Sequence, residues 1–279
     1  MSLWNDMNLA GKRALILHHD DLGMFQAMNG AYAALGFPTG SIMLPTGWAA
    51  EAARTTLPHA DLGVHLTLTS EWDNLRYRPL TGGASLVDGS GHFWKSVEEA
   101  WAHMDAGEVA VELRAQIEAG KALDYDVTHI DTHMGSAMRP DIAQVYIRLA
   151  IEYRIAAFVP ELEGKAFAPD DAKVAEELAR VIAGCGLPQF RVIDAYSQPP
   201  HARRAWLVDT LSKAGPGVYH CLHHAALDTP ELRAIRDWPV RAADYAGLQD
   251  ADVRRVLGEF VPLTYRDVRA GLQRYGFPG

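Results

Sequence analysis

Short hydrophobic runs along this chain alternate with longer stretches that have helical spacing. A compact apolar run that ends in polar residues is typical of a buried strand. Such runs predict strands at 13–18, 41–44, 62–69, 127–130, 155–159, 190–193, 218–222 and 260–263. The stretches between them predict helices at 25–35, 48–55, 96–123, 141–153, 172–183, 202–214, 252–259 and 265–275.

This alternation of strand and helix favours a parallel sheet with helices outside it. We therefore expect an α/β fold, an irregular (β/α) TIM-like barrel that forms a single domain over residues 1–279. An open, doubly wound sheet is the alternative. Residues 70–95 interrupt the pattern with four glycines and four aromatic residues, and predict an insertion loop. Its aromatic side chains either pack on sugar rings or anchor the loop to the core.

Composition narrows the classes of function. The formal net charge of −9 gives no electrostatic footprint for nucleic acid or an anionic membrane. No apolar run is long enough to span a membrane, and residues 1–12 lack the pattern of a signal peptide, so we expect a soluble, cytoplasmic protein. Cys185 and Cys221 form no CxxC pair and are expected to be buried thiols in a reducing compartment. Acidic α/β enzymes of this size often form homodimers, and the oligomeric state stays open.

Histidine and aspartate cluster where the predicted strands end, which is where active sites gather in both architectures. The clusters hold eight of the twelve histidines. They comprise His18, His19, Asp20 and Asp21 after the first strand, His65 in the third, His129, Asp131 and His133 at the fourth, Asp194 after the sixth, and His220, His223 and His224 at the seventh.

Each cluster alone has a simpler explanation. The pair Asp20 and Asp21 is suited to capping a helix, and a lone His65 in an apolar strand is usually a satisfied core residue. Together they are harder to explain, because leaving a polar group buried and unpaired costs about 1–3 kcal/mol. A shared divalent cation explains all of them. Two histidines and one carboxylate suit such an ion and leave coordination positions for water, while a neighbouring carboxylate can take the proton of that water.

Four segments resemble the YdjC-like (ChbG/HpnK) carbohydrate deacetylases. HHDDLGM followed by MNGAY resembles the family's ADDFG motif, GVHLTLT its GxHLxLT motif, THIDTH its THLDSH motif, and LHHAALDTPELRAI its HPG segment. Their order and spacing match, over about residues 13–271. The resemblance implies an irregular (β/α) barrel that removes the N-acetyl group from an amino sugar or oligosaccharide.

The same resemblance assigns roles. It implies a divalent metal, magnesium or zinc, held by Asp21, His65 and His133, with Asp20 as the catalytic base. The histidine of the HPG segment falls on His223, which becomes the candidate general acid. The segments depart from the family pattern at His18 and His19, after His133 and around His224, so the substrate and the roles of His18, His19, His129 and His224 stay open. The alternatives are an inactive carbohydrate-binding barrel, or another metal-dependent barrel enzyme such as a sugar isomerase or an esterase.

Overall fold

The computed structural model describes residues 3–55, 60–162 and 171–278. The strands in these ranges all pair in parallel. They are β1 (Arg13–Leu22), β2 (Thr39–Ile42), β3 (Asp61–Leu66), β4 (Val127–Thr132), β5 (Ala156–Ala157), β6 (Arg191–Asp194), β7 (Gly217–His223) and β8 (Val261–Pro262).

The sheet has the order β5-β4-β3-β2-β1-β7-β6, with β8 paired to the first half of β1. The segments next to its two outer strands meet. The Phe190 N–H donates to the Val159 carbonyl at 2.9 Å, and the Glu161 N–H donates to the Phe190 carbonyl at 2.7 Å. The sheet therefore curls round into an irregular barrel. This confirms the fold class expected from the alternation of strands and helices.

Helices cover the outside of the sheet. They are α1 (Leu3–Asp6), α2 (Gln26–Leu35), α3 (Ala49–Thr55), α4 (Val97–His103), α5 (Ala106–Ala122), α6 (Pro140–Tyr153), α7 (Ala172–Gly184), α8 (Arg203–Lys213), α9 (Trp238–Gln249), α10 (Ala251–Leu257) and α11 (Tyr265–Tyr275). The amphipathic pattern of α6 shows why they pack there, since Ile142, Val145, Tyr146 and Leu149 are buried at helical spacing. None of the described helices is long and apolar enough to cross a membrane.

Three differences from the predicted elements matter for the site. The stretch 96–123 forms two helices rather than one, because Asp105 accepts hydrogen bonds from the Gly107 and Glu108 N–H groups and starts a new helix. Strand β1 continues to Leu22, beyond its predicted end at His18. Helix α9 was not predicted at all, although it carries a side chain that reaches the site.

Candidate metal centre

A cavity of about 220 Å³ opens at the carboxyl ends of the barrel strands. Strand ends, the insertion loop and α9 all contribute to its lining. The charged or titratable side chains there include Asp20, Asp21, Glu71, His133, His224 and Arg241.

The last residues of β1 bring two consecutive carboxylates to this cavity. In a regular strand, neighbouring side chains point to opposite faces. Here the register between β1 and β2 shifts between His19 and Leu22, and Asp21 has a left-handed backbone with φ of +62°. Aspartate tolerates this conformation better than most residues. The irregularity allows both Asp20 and Asp21 to line the cavity.

The three side chains assigned to the metal meet at one carboxylate oxygen. Asp21 Oδ1 lies 3.1 Å from His65 Nε2 and 3.0 Å from His133 Nδ1. All three side chains are buried, and one donor atom from each lies within 4.8 Å of the others. They come from β1, from β3 and from the 3-10 segment His133–Met138 after β4, so only the folded barrel assembles them.

Each of these histidines has a carboxylate on its far side. His65 Nδ1 lies 2.8 Å from Asp131 Oδ1, and the Ser41 hydroxyl donates to the other Asp131 oxygen at 2.7 Å. His133 Nε2 lies 3.0 Å from Glu71 Oε2. Carboxylates in this position fix the tautomer and the ring orientation of metal-binding histidines.

Arg241 holds the second oxygen of Asp21. Its Nη1 donates to Asp21 Oδ2 at 2.8 Å, while its Nε donates to Asp237 Oδ2 at 2.7 Å. Asp237 also accepts from the Trp72 indole at 2.9 Å and from the Tyr196 hydroxyl at 2.6 Å. The guanidinium is buried, and this network ties α9 to the insertion loop and to the end of β6.

The charges of these groups fit a bound cation. Burial alone would lower the pKa of His133, but Glu71 and Asp21 raise it to about 9. Burial likewise disfavours a protonated His65, yet Asp131 and Asp21 raise its pKa well above the usual range. The carboxylates thus attract positive charge at the point where the three donors converge. Two imidazole nitrogens and one carboxylate oxygen suit a divalent ion such as zinc.

The two oxygens of Asp20 face different sides, one the barrel interior and the other the cavity. Oδ1 lies 2.7 Å from His18 Nδ1, and Oδ2 lies 3.9 Å from His224 Nε2. Burial would raise the pKa of Asp20, but the hydrogen bond from His18 and the charge of His65 lower it far below its usual value. Asp20 is therefore ionised at neutral pH, as a proton acceptor must be.

The structure does not bring His223 to the cavity. Side chains alternate along β7, so His220, Leu222 and His224 line the cavity while His223 faces the other way. The His223 ring is buried with its Nε2 3.4 Å from the sulfur of Cys221. His224 lies at the cavity instead, with its Nε2 3.9 Å from an oxygen of both Asp20 and Asp21.

The insertion loop contributes less aromatic surface to the cavity than its sequence allows. Trp72 lines the cavity. Phe93 and Tyr77 are buried in the core, and Trp94 stacks on His103 with ring centres 3.9 Å apart. These three residues anchor the loop. Four further residues of the cavity lining were not predicted, because they lie outside the four motifs: Glu71, Tyr196, Asp237 and Arg241.

Comparisons with known proteins agree with these observations. The profile of the YdjC-like protein family matches residues 14–259. A carbohydrate deacetylase from Thermus thermophilus is 50% identical over 273 residues, which cover 98% of this chain and 100% of that protein. A carbohydrate deacetylase from Geobacillus stearothermophilus is 34% identical over 149 residues, which cover 51% of this chain and 58% of that protein.

Among solved structures, a protein from Enterococcus faecalis V583 named for cellobiose-phosphate cleavage has a similar fold. The TM-score is 0.74 at 18% identity, and the alignment covers 92% of this chain and 99% of that one. At this identity the likeness concerns the fold alone.

Proposed function

Because this chain belongs to the YdjC-like family, we propose that it is a metal-dependent carbohydrate deacetylase, a hydrolase that removes the acetyl group from an N-acetylated amino sugar. The observation that carries the proposal is the convergence of Asp21, His65 and His133 beside a free oxygen of Asp20 and the imidazole of His224. Hydrolysis of an amide needs an electrophile, a base and an acid within reach of one bond.

Asp21, His65 and His133 would hold the ion. A divalent cation bound there supplies a Lewis acid for the acetyl carbonyl and lowers the pKa of a water molecule. We favour zinc over magnesium, because two nitrogen donors suit zinc whereas magnesium prefers oxygen ligands. The buried, unpaired thiols of Cys185 and Cys221 support a reducing compartment, and we place the enzyme in the cytoplasm.

The remaining steps belong to the protein's own side chains. Asp20 Oδ2 accepts a proton from the water that attacks the acetyl carbon. His224 donates a proton to the amide nitrogen as the C–N bond breaks, which releases acetate and a free amine. Asp131 and Glu71 orient His65 and His133, and Arg241 orients Asp21.

A panel of N-acetylated and O-acetylated mono- and oligosaccharides tests this proposal, with acetate release measured before and after treatment with a chelator. We expect acetate only from N-acetylated sugars, loss of activity with the chelator, and recovery with zinc. Release from O-acetylated sugars alone would indicate an esterase. Sugar binding with no acetate release would indicate an inactive carbohydrate-binding barrel.

The base is tested by Asp20→Asn, which keeps the shape of the side chain. This variant should bind as much metal as the wild type by elemental analysis and lose most of its turnover. His224→Gln should also lose turnover, whereas His223→Gln should retain it because His223 faces away from the cavity. Equal losses in the two histidine variants would contradict our assignment of the acid.

A further inference from the structure

Behind Asp20, a row of hydrogen-bonded side chains runs into the barrel interior. His18 Nδ1 lies 2.7 Å from Asp20 Oδ1, and His18 Nε2 lies 2.9 Å from His129 Nε2. His129 Nδ1 lies 2.9 Å from Thr128 Oγ1, which lies 3.0 Å from the Leu62 carbonyl oxygen. His18, His129 and Thr128 are fully buried. The row links Asp20 to the backbone of β3 without solvent between them.

The number of available protons limits how this row can be arranged. The Leu62 carbonyl can only accept, and the Thr128 hydroxyl has one proton to donate. If Thr128 donates to the Leu62 carbonyl, Thr128 Oγ1 accepts from His129 Nδ1–H. His129 Nε2 then accepts from His18 Nε2–H, so His18 donates from both of its nitrogens. If His18 is neutral, it accepts from His129, and Thr128 donates to His129 instead. In both arrangements His18 Nδ1–H donates to Asp20 Oδ1, since a carboxylate oxygen accepts.

Packing holds the two imidazole rings in place. The His18 ring lies against the His220 ring at 4.8 Å between centres, and it is nearly perpendicular to the Tyr265 ring at 5.7 Å between centres. The His129 ring occupies the space beside Gly63, where a β-carbon would lie only 2.5 Å from His129 Nε2. Glycine at this position therefore makes room for the row. Rings that are buried and packed in this way have little freedom to turn.

We propose that His18 is a positioning residue for Asp20, supported from behind by His129 and Thr128. The His18 Nδ1–H group holds Asp20 Oδ1 on the interior side of the carboxylate, so that Oδ2 faces the cavity and His224. Oδ2 lies 3.9 Å from His224 Nε2, which agrees with this orientation. The inference rests on the proposed function, because it concerns the orientation of the proposed base.

Three variants test the row at different points. His18→Leu removes the donor to Asp20. His18→Asn is the matched conservative variant, because its amide nitrogen can donate from near the position of Nδ1. Thr128→Val removes the hydroxyl at the far end of the row with little change of shape. The activity readouts are kcat and KM for the best N-acetylated substrate, together with bound zinc per chain.

We expect His18→Leu to lower kcat about 100-fold, as a displacement of about 1 Å can do, with unchanged KM and unchanged zinc content. His18→Asn should recover most of this loss, and Thr128→Val should show a smaller decrease in kcat. A His18→Leu variant with wild-type kcat would overturn the proposal. If that variant fails to fold, a His18→Asn variant as impaired in kcat as Asp20→Asn would overturn it.

A second readout does not depend on activity. Nitrogen-15 NMR of the zinc-loaded protein reports which nitrogen of each histidine carries a proton. We expect His18 to be protonated at Nδ1, with a downfield proton signal that moves upfield in Asp20→Asn, because a charge-assisted hydrogen bond is lost. A His18 without a proton on Nδ1 would overturn the proposal even if the protein released no acetate from any sugar.

The number of bound metal ions distinguishes the hydrogen-bonded row from a second metal site. Donor atoms of His18, His129 and Asp131 lie within 4.8 Å of one another, which is close enough to hold an ion. We expect one zinc ion per chain in the wild type and in Thr128→Val. Two ions in the wild type, with one lost in His129→Phe, would show a second metal site in place of the hydrogen-bonded row and would overturn the proposal.

Discussion

Asp21 presents its two oxygens to different partners, and this limits how it can bind an ion. Oδ1 faces His65 and His133, while Oδ2 accepts from the buried guanidinium of Arg241. With Oδ2 occupied, Asp21 would offer a single oxygen to a bound cation, which would leave coordination positions for water and substrate.

Removing Arg241 should destabilise the metal-free protein. Arg241→Met removes the buried guanidinium that donates to both Asp21 and Asp237, and breaking a buried ion pair on one side costs about 3–5 kcal/mol. We expect the free energy of unfolding in urea to fall by about that amount, and by less in Arg241→Lys, which keeps the charge. An unchanged unfolding midpoint in Arg241→Met would show that the ion pairs of Arg241 with Asp21 and Asp237 do not stabilise the protein.

The histidine pKa values predict how metal binding depends on pH. The pKa of His133 is raised to about 9, and that of His65 is also raised. Both rings are therefore protonated on both nitrogens at pH 7, and a metal ion must displace one proton from each ring. Affinity for zinc should increase as the pH rises from 6 towards 9, and calorimetry in buffers of different ionisation enthalpy should detect released protons. A zinc affinity that is independent of pH over this range would contradict the raised pKa values of the two histidines.

At the scale of elements, α5 holds the insertion loop in place. Buried Glu112 accepts hydrogen bonds from the Leu80 N–H at 3.0 Å and from the Thr81 N–H at 2.9 Å. The same loop places Glu71 and Trp72 at the cavity. Glu112 thus connects a helix on the outside of the barrel to the loop that supplies two residues of the site.

We expect Glu112→Leu to loosen this loop, because the loop N–H groups lose their acceptor, at about 1–3 kcal/mol. Limited proteolysis should cut more rapidly within residues 70–95, and kcat/KM should fall. Glu112→Gln keeps one acceptor oxygen and should have a smaller effect. Wild-type resistance to proteolysis in Glu112→Leu would show that other contacts hold the loop.

The sequence predicted most strands and helices, because each has a hydrophobic pattern of its own. It could not predict the shift in register at Asp20 and Asp21, which depends on how β1 pairs with β2. A change of one residue in register exchanges the two faces of a strand. The sequence also did not distinguish His223 from His224 as the residue that faces the cavity, because that depends on how β7 is oriented in the folded sheet.

Helix α9 shows a second limit. Arg241 lies among mixed apolar and polar residues of this helix and looks like a surface residue in the sequence. Only the tertiary packing buries Arg241 against Asp21. The four motifs, by contrast, place Asp20, Asp21, His65 and His133 at strand ends regardless of such details, and the structure brings these residues together. Their roles stay predictions until they are tested.

At the scale of the whole molecule, the site joins distant parts of the chain. Asp21, His65 and His133 come from β1, from β3 and from the segment after β4, and Arg241 adds α9. A cation bound by the folded state alone stabilises it by about 4 kcal/mol at a concentration 1,000-fold above its Kd. Zinc should therefore raise the melting temperature of the wild type.

The matched controls are two histidine variants. His65→Ala should abolish the shift in melting temperature with zinc. His201→Ala changes an exposed histidine outside the cavity lining and should keep the shift. Equal shifts in both variants would mean that zinc binds elsewhere.

The most direct test of the metal-dependent mechanism is a titration of chelator-stripped enzyme with zinc, followed by acetate release from an N-acetylated sugar. We predict that activity rises linearly and reaches a plateau at one ion per chain, and that His65→Ala and His133→Ala stay inactive throughout. Acetate release by the stripped enzyme, or a plateau of equal height in the two variants, would contradict the assignment of Asp21, His65 and His133 to the metal.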